Sequence, residues 1–171
     1  MAFPCQMLLS LSVKEENRPL KTEFAKRADC NIMKKYESRC EADTRRIAAE
    51  LAATLKKGDI VALHGDLGAG KTAIVKGVAD FFRSEDAVSS PTFTIVNEYY
   101  GDTVIYHFDA YRIENASFEQ CDWMDDYFFG DGICIVEWAE NIAAVLPEGY
   151  ITVKIDKNPD KGTDYREITI C

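Results

Sequence analysis

In DIVALHGDLGAGKTAIVKGVADFFR, residues 59–83, three glycines, a lysine and a threonine occupy eight positions directly after the apolar run Ile60-Val61-Ala62-Leu63. The run reads as a strand, and the apolar spacing from about Lys71 to Arg83 reads as a helix. Between them Gly65, Asp66, Leu67, Gly68, Ala69, Gly70, Lys71 and Thr72 fit the pattern G-x-x-x-x-G-K-[ST]. Backbone N–H groups that wrap a polyphosphate must face inward, and side chains would block that approach. Gly65, Gly68 and Gly70 clear the way, and the helix adds its positive N-terminal end to the same anion. Lys71 then reaches the β- and γ-oxygens, and Thr72 offers a hydroxyl to Mg²⁺.

A loop of this kind needs a carboxylate to help hold the metal. Asp109 in YHFDAYR and Glu137 in CIVEWAE each end an apolar strand. In an open α/β sheet the ligand crevice lies beyond the carboxyl ends of the strands, so both are aimed at the phosphates if their strands run parallel to the loop strand. Either serves as metal partner and the other as orienter of water; the sequence leaves the assignment open. The hydroxyls of SSPTFT (89–94), Thr92 among them, sit where a switch loop would sense a γ-phosphate. Trp138 follows Glu137 at a strand end, close to the nucleotide or in the core. Arg112 pairs near Asp109, with phosphate, or at the surface. His64 and His107 read as structural, and Tyr99, Tyr100, Tyr106 and Tyr111 as strand packing.

The rest of the chain alternates in the same way. MKKYES (33–38) reads as a short strand, and Ser38 with Glu41 as a capping box. Ile47, Ala48, Leu51, Ala52 and Leu55 then repeat at helical spacing until KKGD stops the helix. Residues 92–112 form two strands around a Gly101-Asp102 turn. A helix is expected over much of 117–129, a buried strand at 133–136, and a helix near 140–145. YITVKI and YREITI close the chain as an antiparallel pair. The pattern predicts an α/β domain, a P-loop NTPase-like three-layer sandwich whose mostly parallel central sheet has antiparallel additions.

The chain has 171 residues and a net charge of -9. That acid excess argues against nucleic acid held by this chain alone. Six scattered cysteines without CxxC spacing argue against zinc and against a disulfide framework, which places the protein in a reducing cytoplasm. No run approaches a membrane span. Residues 1–32 carry five basic and four acidic residues and no sustained period. They read as an N-terminal extension, upstream of a domain covering 33–171.

GDLGAGKT, SPTFT, HFDAYR and IVEWAE, in this order and spacing, resemble the tRNA threonylcarbamoyladenosine biosynthesis ATPase family, TsaE. The likeness spans about residues 33–155 and excludes the lead, and Ala73 stands where the family often has a second threonine. The resemblance implies a small bacterial P-loop ATPase and is compatible with a monomer when free. It implies ATP and Mg²⁺ as ligands, with Lys71 and Thr72 on nucleotide and metal, Asp109, Glu137 and Trp138 at the site, and Thr92 in a switch-like loop. It also implies TsaB and TsaD as partners, TsaD performing the transfer to adenosine 37 and tRNA being met indirectly through them.

Three other readings compete. A small-molecule kinase would bring an arginine-bearing lid, yet no Lys or Arg lies between Ile113 and Ile151. A guanine-nucleotide switch would carry an N-K-x-D motif, and none is present. A nucleotide-binding scaffold without relevant hydrolysis is compatible with every residue above.

Overall fold

Every second residue of the apolar strands belongs to a different side of the molecule. A computed structural model describes residues 33–113, 117 and 121–171. It forms a seven-stranded sheet of β1 (Lys34–Ser38), β2 (Ile60–His64), β3 (Val96–Tyr99), β4 (Ile105–Asp109), β5 (Ile133–Glu137), β6 (Ile151–Lys157) and β7 (Arg166–Ile170), in the order β1-β7-β6-β2-β5-β4-β3. The central four, β6, β2, β5 and β4, are parallel. β3 pairs antiparallel with β4 at one edge, and β7 and β1 add antiparallel at the other. Hence the mostly parallel sheet with antiparallel additions is present, including the expected β6–β7 pair.

Strand alternation sorts the apolar residues into two cores. Val61, Leu63, Ile133, Ile135, Val153 and Ile155 face one way and meet Ile47, Ala48 and Leu51 of helix α1 (Glu41–Ala52) and Ile74, Val75 and Val78 of helix α2 (Lys71–Phe81). Ile60, Ala62, Cys134 and Val136 face the other way, against Met124, Phe128, Ile142 and Val145. A continuous apolar run such as Ile60–Leu63 is what a strand covered on both faces requires. Arg45 of α1 and Asp80 of α2 pair across the exposed seam between the helices, Nε to Oδ2 at 3.1 Å. An exposed pair of this kind adds less than about 1 kcal/mol.

Two local expectations give way and a third is met in part. Cys40, not Ser38, is the N-cap of α1. Ser38 ends β1 fully buried, and its hydroxyl turns inward to the Cys40 carbonyl and the Thr44 hydroxyl instead of capping. Asp43 in the first turn accepts the N–H of Arg39, the residue before the N-cap, at 2.9 Å. Second, the segment after β5 is a single 3₁₀ turn, Ala139–Ile142, preceded by Trp138 in a left-handed conformation (φ 56°). Third, the expected helix over 117–129 is present as a 3₁₀ turn, Asp122–Met124, and one α-helical turn, Asp125–Phe128; part of its start lies outside the described residues. So does the extension 1–32. Among the described residues no helix is long and apolar enough to cross a membrane.

Candidate nucleotide site

Parallel pairing brings the chemistry to one edge. Leu63, just before the glycine loop, lies opposite Glu137, and Glu137 lies opposite Asp109. Both carboxylates therefore stand at the carboxyl ends of strands parallel to β2, as the sequence reading required. Both are buried.

The glycines of the loop have different tasks. Gly70 is the N-cap of α2 at φ 108°, a conformation that disfavours side chains, and a Cβ there would point into open space. Gly65 corrects the expectation that all three clear the way for phosphate. A Cβ on it would stand 2.6 Å from the Ile155 carbonyl oxygen of β6, so its bareness lets the loop lie against the neighbouring strand.

Lys71 is buried and donates to the carbonyls of Gly65 (2.6 Å) and Asp66 (3.1 Å), with its Nζ 3.6 Å from the centre of the Trp138 ring. Burial lowers its pKa, against the opposing pull of Glu137, Glu140, Asp109 and Asp66. An ammonium held this way has lost water and gained only carbonyls and a ring face, so it retains a demand for an anion. The Trp138 ring also packs on Tyr111, at 5.0 Å between centres. Trp138 thus lies at the lysine while also packing against the second core.

Thr72 donates to Glu137 Oε1 at 2.8 Å. Asp109 instead faces loop 89–94: Ser90 and Thr92 donate to its Oδ2 at 2.6 and 2.7 Å, and the Tyr111 N–H to its Oδ1 at 3.0 Å. Burial raises the Asp109 pKa, but these donors outweigh it and hold the carboxyl below the usual range. The loop ends at Ile95, whose φ of 70° is strained for a β-branched residue. At its tip Phe93 is exposed, with the Arg112 guanidinium over the ring at 4.4 Å. Arg112 is thus turned toward loop 89–94.

Two cations escaped the sequence reading. Lys157 donates to the Leu67 carbonyl, and Arg166 to those of Ala69 (2.9 Å) and Gly68 (3.3 Å). They brace the loop from β6 and β7. Next to it opens a cavity of about 220 Å³ lined by Cys40, Thr44, Ala69, Gly70, Ala73 and Arg166, among others. Asp66 and Leu67 form the exposed crest of the loop.

A parallel sheet with this loop after its central strand, a helix opening on Lys71-Thr72 and two carboxylates at the same edge defines a P-loop nucleoside triphosphatase. The comparisons narrow the class. Residues 38–168 match the family described as threonylcarbamoyl adenosine biosynthesis protein TsaE. The chain is 44% identical over 128 residues to the tRNA threonylcarbamoyladenosine biosynthesis protein TsaE of Bacillus subtilis, covering 74% of this chain and 78% of that one. To the protein of the same description in Treponema pallidum it is 38% identical over 138 residues, covering 78% and 97%. The crystal structure of Bacillus subtilis YdiB superposes with a TM-score of 0.68 at 38% identity, covering 81% of this chain and 84% of that one. The chain belongs to the TsaE family.

Proposed function

We propose that the chain binds MgATP over residues 65–73 and hydrolyses it as the ATPase subunit of the machinery that makes N6-threonylcarbamoyladenosine at tRNA position 37, acting with TsaB and TsaD. Family membership supports the role. The carrying observation at the site is the 2.8 Å bond from Thr72 to Glu137 beside the glycine loop.

The donor set fits magnesium. The Thr72 hydroxyl and the Glu137 carboxylate are hard oxygen ligands, with a second carboxylate, Asp109, at the same sheet edge. Mg²⁺ is ordinarily held in this way, by one or two carboxylates together with substrate phosphates. When bound, it neutralises charge on the β- and γ-oxygens. Thr72 and Glu137 are the residues that would hold it. Asp109, engaged by Ser90 and Thr92, ties the switch-like loop to the site. Lys71 gives its charge to the phosphates, Trp138 shields that charge from water, and the cavity beside Ala73 receives the nucleoside end. Lys71→Ala should weaken ATP binding about 10- to 150-fold, the loss of one charge-assisted contact. Isothermal calorimetry reads this directly, and unchanged affinity would refute the site.

The same reading takes 33–171 as the ATPase domain and 1–32 as an appendage. A protein beginning at Met33 should melt within about 1 °C of the full chain, under the shift of ~2–4 °C that each kcal/mol produces at this size, and should bind ATP equally well. A larger drop would make the lead part of the core.

A further inference from the structure

His107 is fully buried in the middle of β4. An imidazole in a core is costly unless both ring nitrogens find partners, and an aliphatic side chain would fill the same space without that demand. Its partners lie on opposite sides. Nε2 stands 2.9 Å from Glu137 Oε1, the oxygen that also accepts from Thr72. Nδ1 stands 3.3 Å from the Tyr99 hydroxyl. That hydroxyl donates to the Ser89 carbonyl at 2.7 Å and accepts from the Ser89 N–H at 3.2 Å. A line of polar contacts within hydrogen-bond distance thus runs Ser89–Tyr99–His107–Glu137–Thr72, from the head of loop 89–94 to the first turn of α2, and its Tyr99–His107 link closes when the Tyr99 proton turns toward Nδ1.

Proton counting makes the line more than structural. The Glu137 carboxylate accepts, so Nε2 carries a hydrogen, and an imidazole protonated there alone offers a lone pair at Nδ1. Tyr99 has one proton and two acceptors in reach, the Ser89 carbonyl and Nδ1. It serves one fully at a time, and the shorter bond goes to Ser89. A displacement of Ser89 would turn the proton to Nδ1, and an imidazole that accepts at Nδ1 donates more strongly at Nε2. The position of the loop would thereby reach the Glu137 oxygen that faces Thr72.

We propose that Tyr99 and His107 are positioning residues that couple loop 89–94 to Glu137 and Thr72, setting the carboxylate for hydrolysis according to where the loop stands. This rests on the MgATP reading of the site. The chain has two histidines, so the full chain labelled with ¹⁵N-histidine gives two resolvable rings. The ligand-free His107 should show Nε2 protonated and Nδ1 bare. Its Nδ1 resonance should move when MgADP or a non-hydrolysable MgATP analogue is added, and should no longer move in Tyr99→Phe, which keeps the ring and loses only the hydroxyl. Tyr99→Phe should bind ATP within about twofold of wild type while single-turnover hydrolysis falls about 3- to 10-fold, the worth of one neutral hydrogen bond. Tyr99→Phe should add nothing in a His107→Gln background, since both act through one line. An Nδ1 resonance that ignores nucleotide while calorimetry shows normal binding overturns the coupling, as do a doubly protonated ring or additive losses. A wild-type chain that binds no MgATP overturns the site assignment itself, and calorimetry separates that failure from the others.

Discussion

Glu137→Ala should lower ATP hydrolysis by on the order of 10²- to 10⁴-fold, the range of a positioned carboxylate acting on the reacting water or metal. The geometry gives the reason. One oxygen of Glu137 receives both the Thr72 hydroxyl and the His107 Nε2–H, so alanine removes the acceptor of two donors at once. The imidazole N–H is then left in the core without a partner, at a cost of about 1–3 kcal/mol. The melting temperature should therefore fall by several degrees, at ~2–4 °C per kcal/mol for a chain of this size. Glu137→Gln separates the two effects. Its amide oxygen still accepts, so stability should return to near wild type while hydrolysis stays low. Asp109→Ala should behave differently, releasing Ser90 and Thr92 and with them the loop. A Glu137→Gln protein that hydrolyses ATP at the wild-type rate would show that the charge of Glu137 is not used.

What was legible in the sequence follows the range of the physics involved. The glycine loop is a local device, because phosphate binding demands small residues, a lysine and a hydroxyl at fixed offsets, and residues 65–72 show them. Strand alternation is equally local, and it sorts Val61 and Leu63 from Ile60 and Ala62 without knowledge of their neighbours. Sheet order is not local. That β6 lies beside β2 cannot be read from YITVKI, so Lys157 and Arg166 went unseen as braces of the loop. The same limit hid His107. Its role depends on β4 pairing with β5 in a register that sets Asp109 opposite Glu137, and on β3 bringing Tyr99 within reach. A histidine in a strand otherwise filled by Ile105 and Phe108 was the available signal, and it was read as structural. Ser38 shows the converse error. The spacing to Glu41 is that of a capping box, but tertiary burial took its hydroxyl elsewhere.

Hydrolysis by the isolated chain should be slow, and the TsaB–TsaD surface should raise it by about 10³- to 10⁵-fold, the range of a cation supplied in trans. Phosphoryl transfer spreads negative charge over the γ-phosphate oxygens, and enzymes of this class speed it by placing positive charge there. The cations near the loop among the described residues have other occupations. Lys157 and Arg166 hold loop carbonyls, and Arg112 lies on Phe93 at the tip of loop 89–94. Lys71 also donates to loop carbonyls, those of Gly65 and Asp66, and is the cation that the loop motif assigns to phosphate. Loop 89–94 is itself engaged, since Ser90 and Thr92 both spend their hydroxyls on Asp109. A partner that pulls Phe93 from Arg112 would free a guanidinium and move the loop in one event; a partner that lends its own arginine would act without that rearrangement. Single-turnover rates at saturating ATP and Mg²⁺, with and without TsaB and TsaD, measure the stimulation. Arg112→Ala distinguishes the routes, because it should abolish most of the stimulation only if the charge comes from this chain. Equal rates for the isolated and assembled protein would mean that Lys71, Thr72, Asp109 and Glu137 form a complete site and that the partners act elsewhere in the cycle.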